Sequence, residues 1–487
     1  MQSLTDILYK VRLLETHGET SVEVSEISFD SRKVVDASVF VAVKGTEVDG
    51  HDFIQNALDL GAIVIVCEAL PEDLKKGITY LKVKNSAEAL GIMAANYYGN
   101  PSKELRLTGV TGTNGKTTTV TLLHHLFTDL GYAAGLISTV VNKIDQKEVA
   151  ATHTTPNPIT LNRLLREMVD AGCEHCFMEV SSHALHQHRT AGLKFEVAAF
   201  SNISHDHLDY HKTFDEYIYT KKKLFDDLSS DATAIVNIDD ANGSVMVQNT
   251  TAKVKTIALK TVADYKAKII ENSFSGLVLH VNAQEVWTRL VGGFNAYNIL
   301  MVYAIACELG ANEVEVLTSI SKLGSVEGRF EHLKSENNVI GIVDYAHTPD
   351  ALKNVLSTIQ AVRTRNEKVI TVVGCGGNRD TAKRPLMAAI AAEYSDKVIL
   401  TSDNPRNEDP ESIIKEMKIG IPADRTARVL AITDRQEAIK VACSLAEPGD
   451  ILLVAGKGHE KYQDIKGVKL PFDDFEIVKE TLKSLNK

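Results

Sequence analysis

The sequence lacks long apolar runs and lacks an excess of positive charge. None of its apolar stretches approaches the ~18 residues that a transmembrane helix requires, so we expect no membrane-spanning segment. The net charge is −11 at pH 7, whereas non-specific nucleic-acid binding requires a basic face. We therefore expect no nucleic-acid partner. The first residues, Met-Gln-Ser-Leu-Thr-Asp, lack the basic and apolar segments of a secretory signal, which predicts a cytoplasmic protein.

Cysteine is scarce, and its spacing shows no disulfide framework. The six cysteines lie at positions 67, 173, 176, 307, 375 and 443, mostly inside apolar runs. This distribution is typical of buried, reduced thiols. Cys173 and Cys176 have the C-x-x-C spacing of a redox or zinc site, but no second pair follows them. We therefore expect packing rather than metal chemistry from these thiols.

The chain is too long for a single ordinary core. At ~100–200 residues per domain, 487 residues predict three domains. Turn-rich breaks place them at residues 1–101, 102–333 and 334–487. Short apolar strands alternate with helical patterns in each region, which predicts an α/β fold. We interpret residues 135–141 as one strand and residues 251–290 as a small antiparallel insert.

The most specific feature is the heptapeptide Gly112-Thr-Asn-Gly-Lys-Thr-Thr118. Residues 105–111 before it are typical of a β-strand, and residues 119–130 after it of an α-helix. This is the layout of a phosphate-binding loop (P-loop), in which backbone N–H groups and the positive end of a helix surround an anion. The common motif also has glycine at position 110, where this chain has Val110, so the loop is a variant.

The side chains of this loop have the chemistry that a nucleotide requires. Lys116 supplies a positive charge for phosphates, and the hydroxyl of Thr117 or Thr118 can hold Mg²⁺. The middle domain is therefore predicted to be a P-loop mononucleotide-binding α/β domain with ATP and Mg²⁺ as cofactors. The predicted nucleotide contacts are Gly112, Thr113, Asn114, Gly115, Lys116, Thr117 and Thr118.

Three polar clusters follow predicted strands of the middle domain. They span residues 154–157, 179–183 and 202–211. Parallel strands place ligand sites at their carboxyl ends, so we expect these clusters to meet. Glu179 and a histidine near it in space could ligate Mg²⁺ or Mn²⁺. His205, His207 and His211 are equally compatible with a surface run, because histidine is a poor Mg²⁺ ligand.

Two predicted helices of the middle domain carry polar residues with two interpretations each. Lys221, Lys222 and Lys223 are adjacent and cannot all face one way. A solvated face explains two of them, and the third can turn inward toward the site. Asn295 could be only a helix N-cap, or it could read an adenine edge together with Asn298.

In the third domain, four apolar strands each run into a charged or glycine-rich loop. The loops are residues 344–347, 374–380, 403–406 and 456–460. This alternation is typical of a doubly wound sheet whose site lies at one edge. We therefore predict a Rossmann-like third domain, with a small α/β domain at the N-terminal end of the chain.

The motifs together resemble the Mur ligase family, and the resemblance covers nearly the whole chain. The matching segments are Asp30-Ser-Arg32, Gly112–Thr118, Glu179-Val-Ser-Ser-His183, Asp206-His-Leu-Asp209, Asn237-Ile-Asp-Asp240, Asn295-Ala-Tyr-Asn298, Gly328-Arg329, Asp344-Tyr-Ala-His347 and Gly456-Lys-Gly-His-Glu460. The resemblance implies a monomeric ATP-dependent ligase of cytoplasmic peptidoglycan precursor synthesis. ATP would phosphorylate the glutamyl carboxylate of UDP-N-acetylmuramoyl-L-alanyl-D-glutamate, and the amine of an amino acid would capture the acyl phosphate.

The resemblance also implies roles for individual residues. Ser31 would meet the uridine end, and the muramoyl dipeptide would be held by Thr154, Thr155, Ser181, Gln187 and Arg189. The adenine would face Asn295 and Asn298, and Arg329 and Asp344 would lie near the nucleotide. Magnesium would be held by Thr117, Glu179, His207 and Lys221, the last after carbamylation. Lys116 would spread phosphoryl charge, and His183 is either the proton acceptor for the amine or a structural residue.

The resemblance further implies which amino acid is added. Asp403-Asn404-Pro405-Arg406 is similar to the signature for meso-diaminopimelate, whose distal carboxylate a guanidinium can grip in two places. L-Lysine has no carboxylate there. The pocket would comprise Arg379, Asp403, Asn404, Pro405, Arg406, Gly456 and Glu460, with Glu460 facing the distal ammonium. A surface ion pair is the alternative interpretation of Arg406.

Three other functions are compatible with parts of the sequence. A ligase with the same plan could add L-lysine, and a folylpolyglutamate synthetase-like ligase would share the P-loop. A nucleotide-binding regulator could have kept the fold without activity. The N-terminal domain and residues 403–406 disfavour the folate enzyme, and Lys116, Glu179, His207 and Lys221 disfavour the regulator.

Overall fold

The computed structural model describes residues 1–45, 48–204 and 208–487. Its first sheet has five strands within this part of the chain, in the order β2-β7-β6-β5-β4. The N-terminal strands are β1 (Gln2–Ser3), β2 (Leu13–His17), β3 (Glu23–Val24), β4 (Ile27–Ser28), β5 (Ser38–Val41), β6 (Ala62–Cys67) and β7 (Thr79–Val83). The helices are α1 (Leu4–Ile7), α2 (Ile54–Asp59) and α3 (Ser86–Tyr97). The sheet is parallel except at the antiparallel edge strand β2, which confirms a small α/β unit here.

The second sheet has eleven strands among the described residues. They are β8 (Arg106–Thr111), β9 (Ala134–Ile137), β10 (Val141–Ile144), β11 (Lys147–Ala150), β12 (His175–Glu179), β13 (Val197–Phe200), β14 (Thr233–Asn237), β15 (Lys253–Ala258), β16 (Tyr265–Ser273), β17 (Gly276–Val281) and β18 (Gln284–Thr288). Their order is β11-β10-β9-β12-β8-β13-β14-β15-β16-β17-β18. Strand β8 therefore lies between β12 and β13, and all three are parallel. The residues that follow these strands meet at one edge of the sheet.

The helices of this region cover both faces of the sheet. They are α4 (Lys116–Asp129), α5 (Pro158–Asp170), α6 (Ser182–His186), α7 (Leu208–His211), α8 (Phe214–Asp226), α9 (Gly243–Met246), α10 (Gly293–Glu308) and α11 (Glu313–Lys322). Helix α10 is buried along most of its length and packs with α4 in one core cluster. Among the residues that the structure describes, no helix combines the length and apolarity needed to cross a bilayer.

Two expectations about this sheet need correction. Residues 135–141 are not one strand: they comprise the end of β9, a turn at residues 138–140 and the first residue of β10, which pairs antiparallel with β9. Ser138 closes the turn, because its hydroxyl donates to Val141 O over 2.7 Å and accepts from Val141 N over 3.1 Å. The expectation of an antiparallel insert at residues 251–290 is confirmed in part: β16, β17 and β18 pair antiparallel. These strands continue the main sheet, however, because β15 pairs in parallel with both β14 and β16.

The third sheet has the order β19-β20-β24-β21-β22-β23 over the described residues. The strands of this region are β19 (Glu331–Lys334), β20 (Ile340–Asp344), β21 (Val369–Cys375), β22 (Lys397–Ser402), β23 (Val429–Ala431), β24 (Ile451–Ala455), β25 (Tyr462–Ile465) and β26 (Val468–Pro471). The helices are α12 (Pro349–Val362), α13 (Lys383–Tyr394), α14 (Pro410–Lys418), α15 (Arg435–Leu445) and α16 (Asp474–Ser484). The four predicted loops leave neighbouring parallel strands, as a doubly wound sheet requires.

The domain limits at residues 101 and 333 remain a prediction. Strand β19 spans the second limit, and it pairs antiparallel with β20 of the third sheet. Strands β25 and β26 form a separate hairpin, and Arg406 bridges to Ile465 in its first strand. This hairpin therefore lies against the loop of residues 403–406.

Candidate functional site

The P-loop has the conformation that anion binding requires. Gly112 and Gly115 have φ of 147° and 89°, a region that favours glycine. A Cβ at Gly112 would collide with Ser201 Oγ, so the close approach of the loop also requires glycine there. Gly115 is the N-cap of α4, and the first turn of that helix leaves its N–H groups available to a ligand.

The variant residue Val110 does not disturb this loop. Val110 is fully buried within strand β8 and belongs to the core cluster beneath the sheet. The loop itself is held from the neighbouring strand, because Thr113 N donates to Asn202 O over 2.8 Å. Asn114 N donates to Asn202 Oδ1 over 3.0 Å. The turn therefore begins at Gly112, and position 110 supplies packing rather than an anion contact.

Lys116 and Lys221 converge on this loop. Lys116 Nζ donates to Gly112 O over 2.9 Å and to Thr113 O over 2.8 Å. Lys221 is 1 % exposed, and its Nζ also donates to Gly112 O over 2.9 Å. The structure thus places a second cation beside the P-loop, as expected for one lysine of α8.

The expectation that the other two lysines are solvated is wrong for Lys222. Its side chain is buried and forms an ion pair with Asp226, whereas Lys223 is exposed. Helix α8 contacts α6, α7 and α9, so more than one of its sides is covered. Sequence periodicity alone did not indicate that second covered side.

Glu179 ends the strand next to β8, close to the start of the P-loop. In the pairing of β12 with β8, Glu179 lies opposite Val110. Val110 is two residues before Gly112, where the P-loop begins. The Glu179 carboxylate is 1 % exposed, and Oε1 accepts from Thr139 N over 2.7 Å. Thr117 is also buried at the start of α4. A hydroxyl and a carboxylate are the oxygen ligands that Mg²⁺ prefers, so these residues fit that ion.

The structure tests the predictions for only one of the three histidines of residues 202–211. His205 and His207 lie outside the described residues, so the metal role of His207 stays a prediction. His211 is fully buried, and its ring lies 5.2 Å from that of Tyr217 and 5.8 Å from that of His183, centroid to centroid. The interpretation of His211 as part of a surface run is therefore wrong. Within the described part of the chain, no three histidine, cysteine, aspartate or glutamate residues are grouped for a metal.

The residues predicted to hold the dipeptide surround the end of β12. Thr155 Oγ1 donates to Glu179 O over 2.7 Å, and Ser181 N donates to Thr155 Oγ1 over 3.2 Å. Thr154 Oγ1 accepts from Thr139 Oγ1 over 3.0 Å. Thr139, which the sequence did not single out, therefore joins Glu179 to Thr154.

Arg189 lies in the same network, where it donates to neutral oxygens of other described residues. Its Nη1 donates to Thr155 O over 2.7 Å, and its Nη2 donates to Gln187 Oε1 over 2.7 Å. Burial lowers the pKa of the guanidinium, although Tyr210 opposes the shift, because desolvation disfavours the charged form. An anionic substrate group would relieve this cost. Gln187 Nε2 donates to Tyr210 OH over 3.0 Å, and Tyr210 was not foreseen from the sequence.

His183 has a packed environment. Its ring lies 4.1 Å from the ring of Tyr210, centroid to centroid, and it belongs to α6 directly after the Glu179 strand.

Ser31 is 8 % exposed and begins a short turn in which Asp30 accepts from Arg32 N over 3.1 Å. That turn follows β4 of the first sheet, so Ser31 belongs to a different sheet from the P-loop.

The paired amides of α10 contact the P-loop. Gly292 is the N-cap of α10, so the N-cap interpretation of Asn295 is wrong. Asn295 Oδ1 accepts from Asn298 Nδ2 over 2.9 Å. A Cβ at Gly115 would lie 2.5 Å from Asn298 Oδ1, so this amide packs directly against the loop. The adenine contact itself stays a prediction.

Arg329 connects the P-loop to the third sheet. Its Nη2 donates to Thr117 Oγ1 over 3.2 Å, and its guanidinium carbon lies 4.6 Å from the ring centroid of Tyr345. The neighbouring Asp344 accepts from Phe330 N over 2.6 Å. Burial raises the pKa of Asp344 to about 6, although Arg329 opposes the shift.

Residues 403–406 follow β22 and are predicted to bind the amino acid that accepts the acyl group; we call them the acceptor loop. The β25–β26 hairpin packs against this loop. Arg406 has φ of 51°, and its backbone N donates to Asp464 O over 3.0 Å. Its Nη1 donates to the carbonyl of Gly377 over 2.8 Å. This neutral partner differs from the carboxylate that the surface ion-pair interpretation requires. Arg379 is exposed, at the turn that faces this loop.

The interior of the acceptor loop is polar and buried. Asp403 and Asn404 are 7 % and 2 % exposed, and Asn404 Nδ2 donates to Glu460 Oε2 over 2.7 Å. Gly456 has φ of 119°, and a Cβ there would lie 2.5 Å from Asp403 Oδ2. Burial first, and Asp403 second, raise the pKa of Glu460. Pro405 is buried against Gly377, with its carbonyl facing that glycine.

A path of direct contacts joins this loop to the P-loop. Thr117 contacts Arg329, which stacks on Tyr345. Gly456 N donates to Asp344 O over 3.0 Å, next to Tyr345 in the chain. The two predicted halves of the site are therefore parts of one connected network.

Comparison with known proteins agrees with this arrangement. Three family models match the chain: Mur ligase family, catalytic domain, over residues 23–98; Mur ligase middle domain over 110–306; and Mur ligase, glutamate ligase domain, over 328–458. UDP-N-acetylmuramoyl-L-alanyl-D-glutamate–2,6-diaminopimelate ligase of Cytophaga hutchinsonii is 57% identical over 485 residues, covering 99% of this chain and 100% of that protein.

Two further relatives carry the same name. The Bacteroides thetaiotaomicron protein is 51% identical over 477 residues, covering 98% of this chain and 99% of its own length. A solved structure of a ligase with this name has a TM-score of 0.71 and 32% identity, with 100% of both chains covered.

Proposed function

The chain belongs to the Mur ligase family, and on this premise we propose that it adds meso-2,6-diaminopimelate to UDP-N-acetylmuramoyl-L-alanyl-D-glutamate in cytoplasmic peptidoglycan precursor synthesis. Members of the family are ATP-dependent ligases that form peptide bonds. The observation that carries the proposal is the cluster of polar side chains formed by buried Asn404 and half-buried Arg406 and Glu460, connected through Arg329 to the P-loop.

The first half of the reaction makes an acyl phosphate beside the P-loop. An oxygen of the glutamyl carboxylate attacks the γ-phosphorus of ATP, and ADP leaves. We propose that Lys116, which lies at the P-loop, and the N–H groups at the start of α4 stabilise the charge on the transferring group. We propose that Arg189, which donates to the neutral oxygens of Thr155 and Gln187, binds the carboxylate before it is activated.

Magnesium fits the oxygen groups of Thr117 and Glu179, with His207 and Lys221 as proposed further ligands. When bound, the ion would neutralise phosphate charge. We propose that Lys221 acts as a carbamate. The carbamate nitrogen keeps one N–H, so the bond to Gly112 O can persist. Intact-mass measurement would detect the added CO₂, and its absence from the native protein would contradict this role.

The second half of the reaction joins the amine to the activated carbonyl. The neutral amine attacks the acyl carbon, inorganic phosphate leaves with one carboxylate oxygen, and a base takes the extra proton. We propose His183 as this base, because it lies on α6, shortly after Glu179 at the end of β12, and packs against Tyr210. Asn295, Asn298 and Asp344 would hold the nucleotide, and Ser31 the uridine end of the substrate.

Selection between amino acids depends on the far end of the acceptor. Diaminopimelate has an ammonium and a carboxylate there, whereas L-lysine has only the ammonium. Glu460 can bind the ammonium, while Arg406 and Asn404 offer N–H groups to the carboxylate. We propose that Arg379, an exposed residue in the segment after β21, contacts the same end of the acceptor.

The test follows an isotope through the reaction. The dipeptide substrate, labelled with heavy oxygen in its glutamyl carboxylate, is incubated with ATP, Mg²⁺ and diaminopimelate. We expect ADP, the tripeptide product and inorganic phosphate that carries the label. Unlabelled phosphate would contradict the acyl-phosphate route, and the absence of any tripeptide would contradict the ligase itself.

A further inference from the structure

Lys457 is a fully buried lysine inside the proposed acceptor pocket. Its Nζ donates to Asn404 Oδ1 over 2.9 Å and lies 3.4 Å from Glu460 Oε2. The Nζ also lies 5.4 Å from the ring centroid of Tyr462, on the hairpin that covers the pocket. Burying an ammonium group is costly unless it is paired and hydrogen-bonded. Asn404, Glu460 and Tyr462 provide these partners for the Lys457 ammonium. All three line the proposed pocket, so the burial of Lys457 is linked to the pocket.

The contacts of Lys457 determine which way the Asn404 amide faces. The backbone N of Asp464 donates to Asn404 Oδ1 over 2.9 Å, at the same oxygen as Lys457. An ammonium and a backbone N–H can only donate, so both identify that atom as the amide oxygen. The amide nitrogen must then face the other way, where it donates to Glu460 Oε2 over 2.7 Å.

This orientation suits the zwitterionic end of an amino acid. The amide nitrogen has two N–H groups, so it can donate to Glu460 and to a substrate carboxylate at the same time. Glu460, in turn, can accept from the substrate ammonium. An amide flipped by 180° would present its oxygen to the carboxylate, which would repel it.

We infer that Lys457 is a positioning residue that acts through Asn404, fixing the amide so that its N–H groups face the distal carboxylate of the acceptor. The inference rests on the proposed function and extends it to a residue outside the acceptor-binding set. Lys457 does not reach the reacting carbonyl in this account. Its loss should therefore change acceptor binding more than the rate of chemistry.

The hairpin offers a matched control. Lys469 lies on the same Tyr462 ring, with its Nζ 4.2 Å from the centroid, but it is exposed on β26. Lys457→Met should raise KM for diaminopimelate about 10- to 100-fold, the loss expected for one hydrogen bond to a charged group. Its kcat and its KM for ATP should stay within about twofold of the unchanged chain, and Lys469→Met should leave all three constants unchanged.

A double-mutant cycle tests whether the effect passes through Asn404. In an Asn404→Ala background, Lys457→Met should add little further increase in KM for diaminopimelate. Independent, multiplicative effects would overturn the inference, as would equal losses in kcat and in both KM values. If the unchanged chain makes no tripeptide, the proposed function fails; if it does and Lys457→Met has a normal KM, only this inference fails.

A second variant keeps the test decisive if Lys457→Met does not fold. Asn404→Asp keeps acceptor oxygens for Lys457 and Asp464 N, but it has no N–H to donate. We expect a KM for diaminopimelate raised by at least about tenfold, in a variant whose fold is checked by circular dichroism. A normal KM in this variant would overturn the inference, because the N–H groups would then be irrelevant to the acceptor.

Discussion

Lys116 and Lys221 donate to the same carbonyl oxygen, that of Gly112, each over 2.9 Å. One lysine begins the helix after the P-loop, and the other comes from α8, more than 100 residues later in the chain. The fold thus brings Lys116 and the nitrogen of Lys221, which we propose is carbamylated in the active enzyme, to the turn where phosphate is expected. Glu179 lies at the end of the adjacent strand, and its carboxylate gives this turn groups of both signs.

Replacement of Lys116 should slow phosphoryl transfer. Lys116→Met removes the side chain that stabilises the transferring charge, and kcat for ADP release should fall about 10²- to 10³-fold. Lys103→Met, at an exposed position before β8, is the control and should leave kcat unchanged. A Lys116→Met enzyme with a kcat within about twofold of the unchanged chain would remove Lys116 from the chemistry.

Replacement of Arg406 should weaken acceptor binding selectively. Arg406→Ala removes the guanidinium that would grip the distal carboxylate, so KM for diaminopimelate should rise about 100-fold. The KM for ATP should not change, because the nucleotide binds at the P-loop. Steady-state kinetics with Arg428→Ala, an exposed arginine of the same region, provide the comparison. An unchanged KM for diaminopimelate in Arg406→Ala would place Arg406 outside the pocket.

Asp344 should make folding stability depend on pH. Its pKa is raised from 3.8 to about 6 in the folded protein, so the folded state binds this proton more tightly than the unfolded chain. Stability from this group is therefore present below pH 3.8 and is lost as pH rises through about 6. The loss should be on the order of 3 kcal/mol.

Asp344→Asn provides the comparison, because the amide does not titrate in this range. The thermal midpoint of the unchanged chain, minus that of Asp344→Asn, should fall between about pH 4 and pH 7 and then level off. A difference that rises over the same range would mean that the folded-state pKa is lowered instead.

The ion pair of Arg435 and Asp474 should be important for stability. Both side chains are fully buried, and Arg435 Nη2 donates to Asp474 Oδ2 over 2.7 Å. Arg435→Met would leave a buried carboxylate without its partner and should cost about 3–5 kcal/mol. The double variant with Asp474→Leu should recover much of that loss in thermal unfolding. A double variant less stable than either single variant would contradict this explanation.

Local sequence patterns predicted the parts of the site that depend on neighbours in the chain. A strand, two glycines at positive φ and a helix define the P-loop, and each of these features acts over a few residues. The turn at Ser138 was not predicted, because a serine hydroxyl closes it without glycine or proline.

Features that depend on distant contacts were less predictable. The burial of Lys222 depends on helices packed around α8, and the continuation of the second sheet depends on how β15 pairs with β14. Tyr210 and Lys457 are joined to the site by hydrogen bonds to residues that are distant in the sequence, Gln187 and Asn404 respectively. The motif of residues 456–460 contained Lys457, and its position between two glycines was the only signal available.

Competition between two amines tests the central claim most directly. The enzyme is given ATP, Mg²⁺, the dipeptide substrate and equal concentrations of diaminopimelate and L-lysine, and the products are weighed. We predict that the diaminopimelate product dominates with the unchanged chain, and that Arg406→Ala reduces this preference about 100-fold. A product pool dominated by the lysine adduct, or a preference that Arg406→Ala leaves intact, would contradict the account.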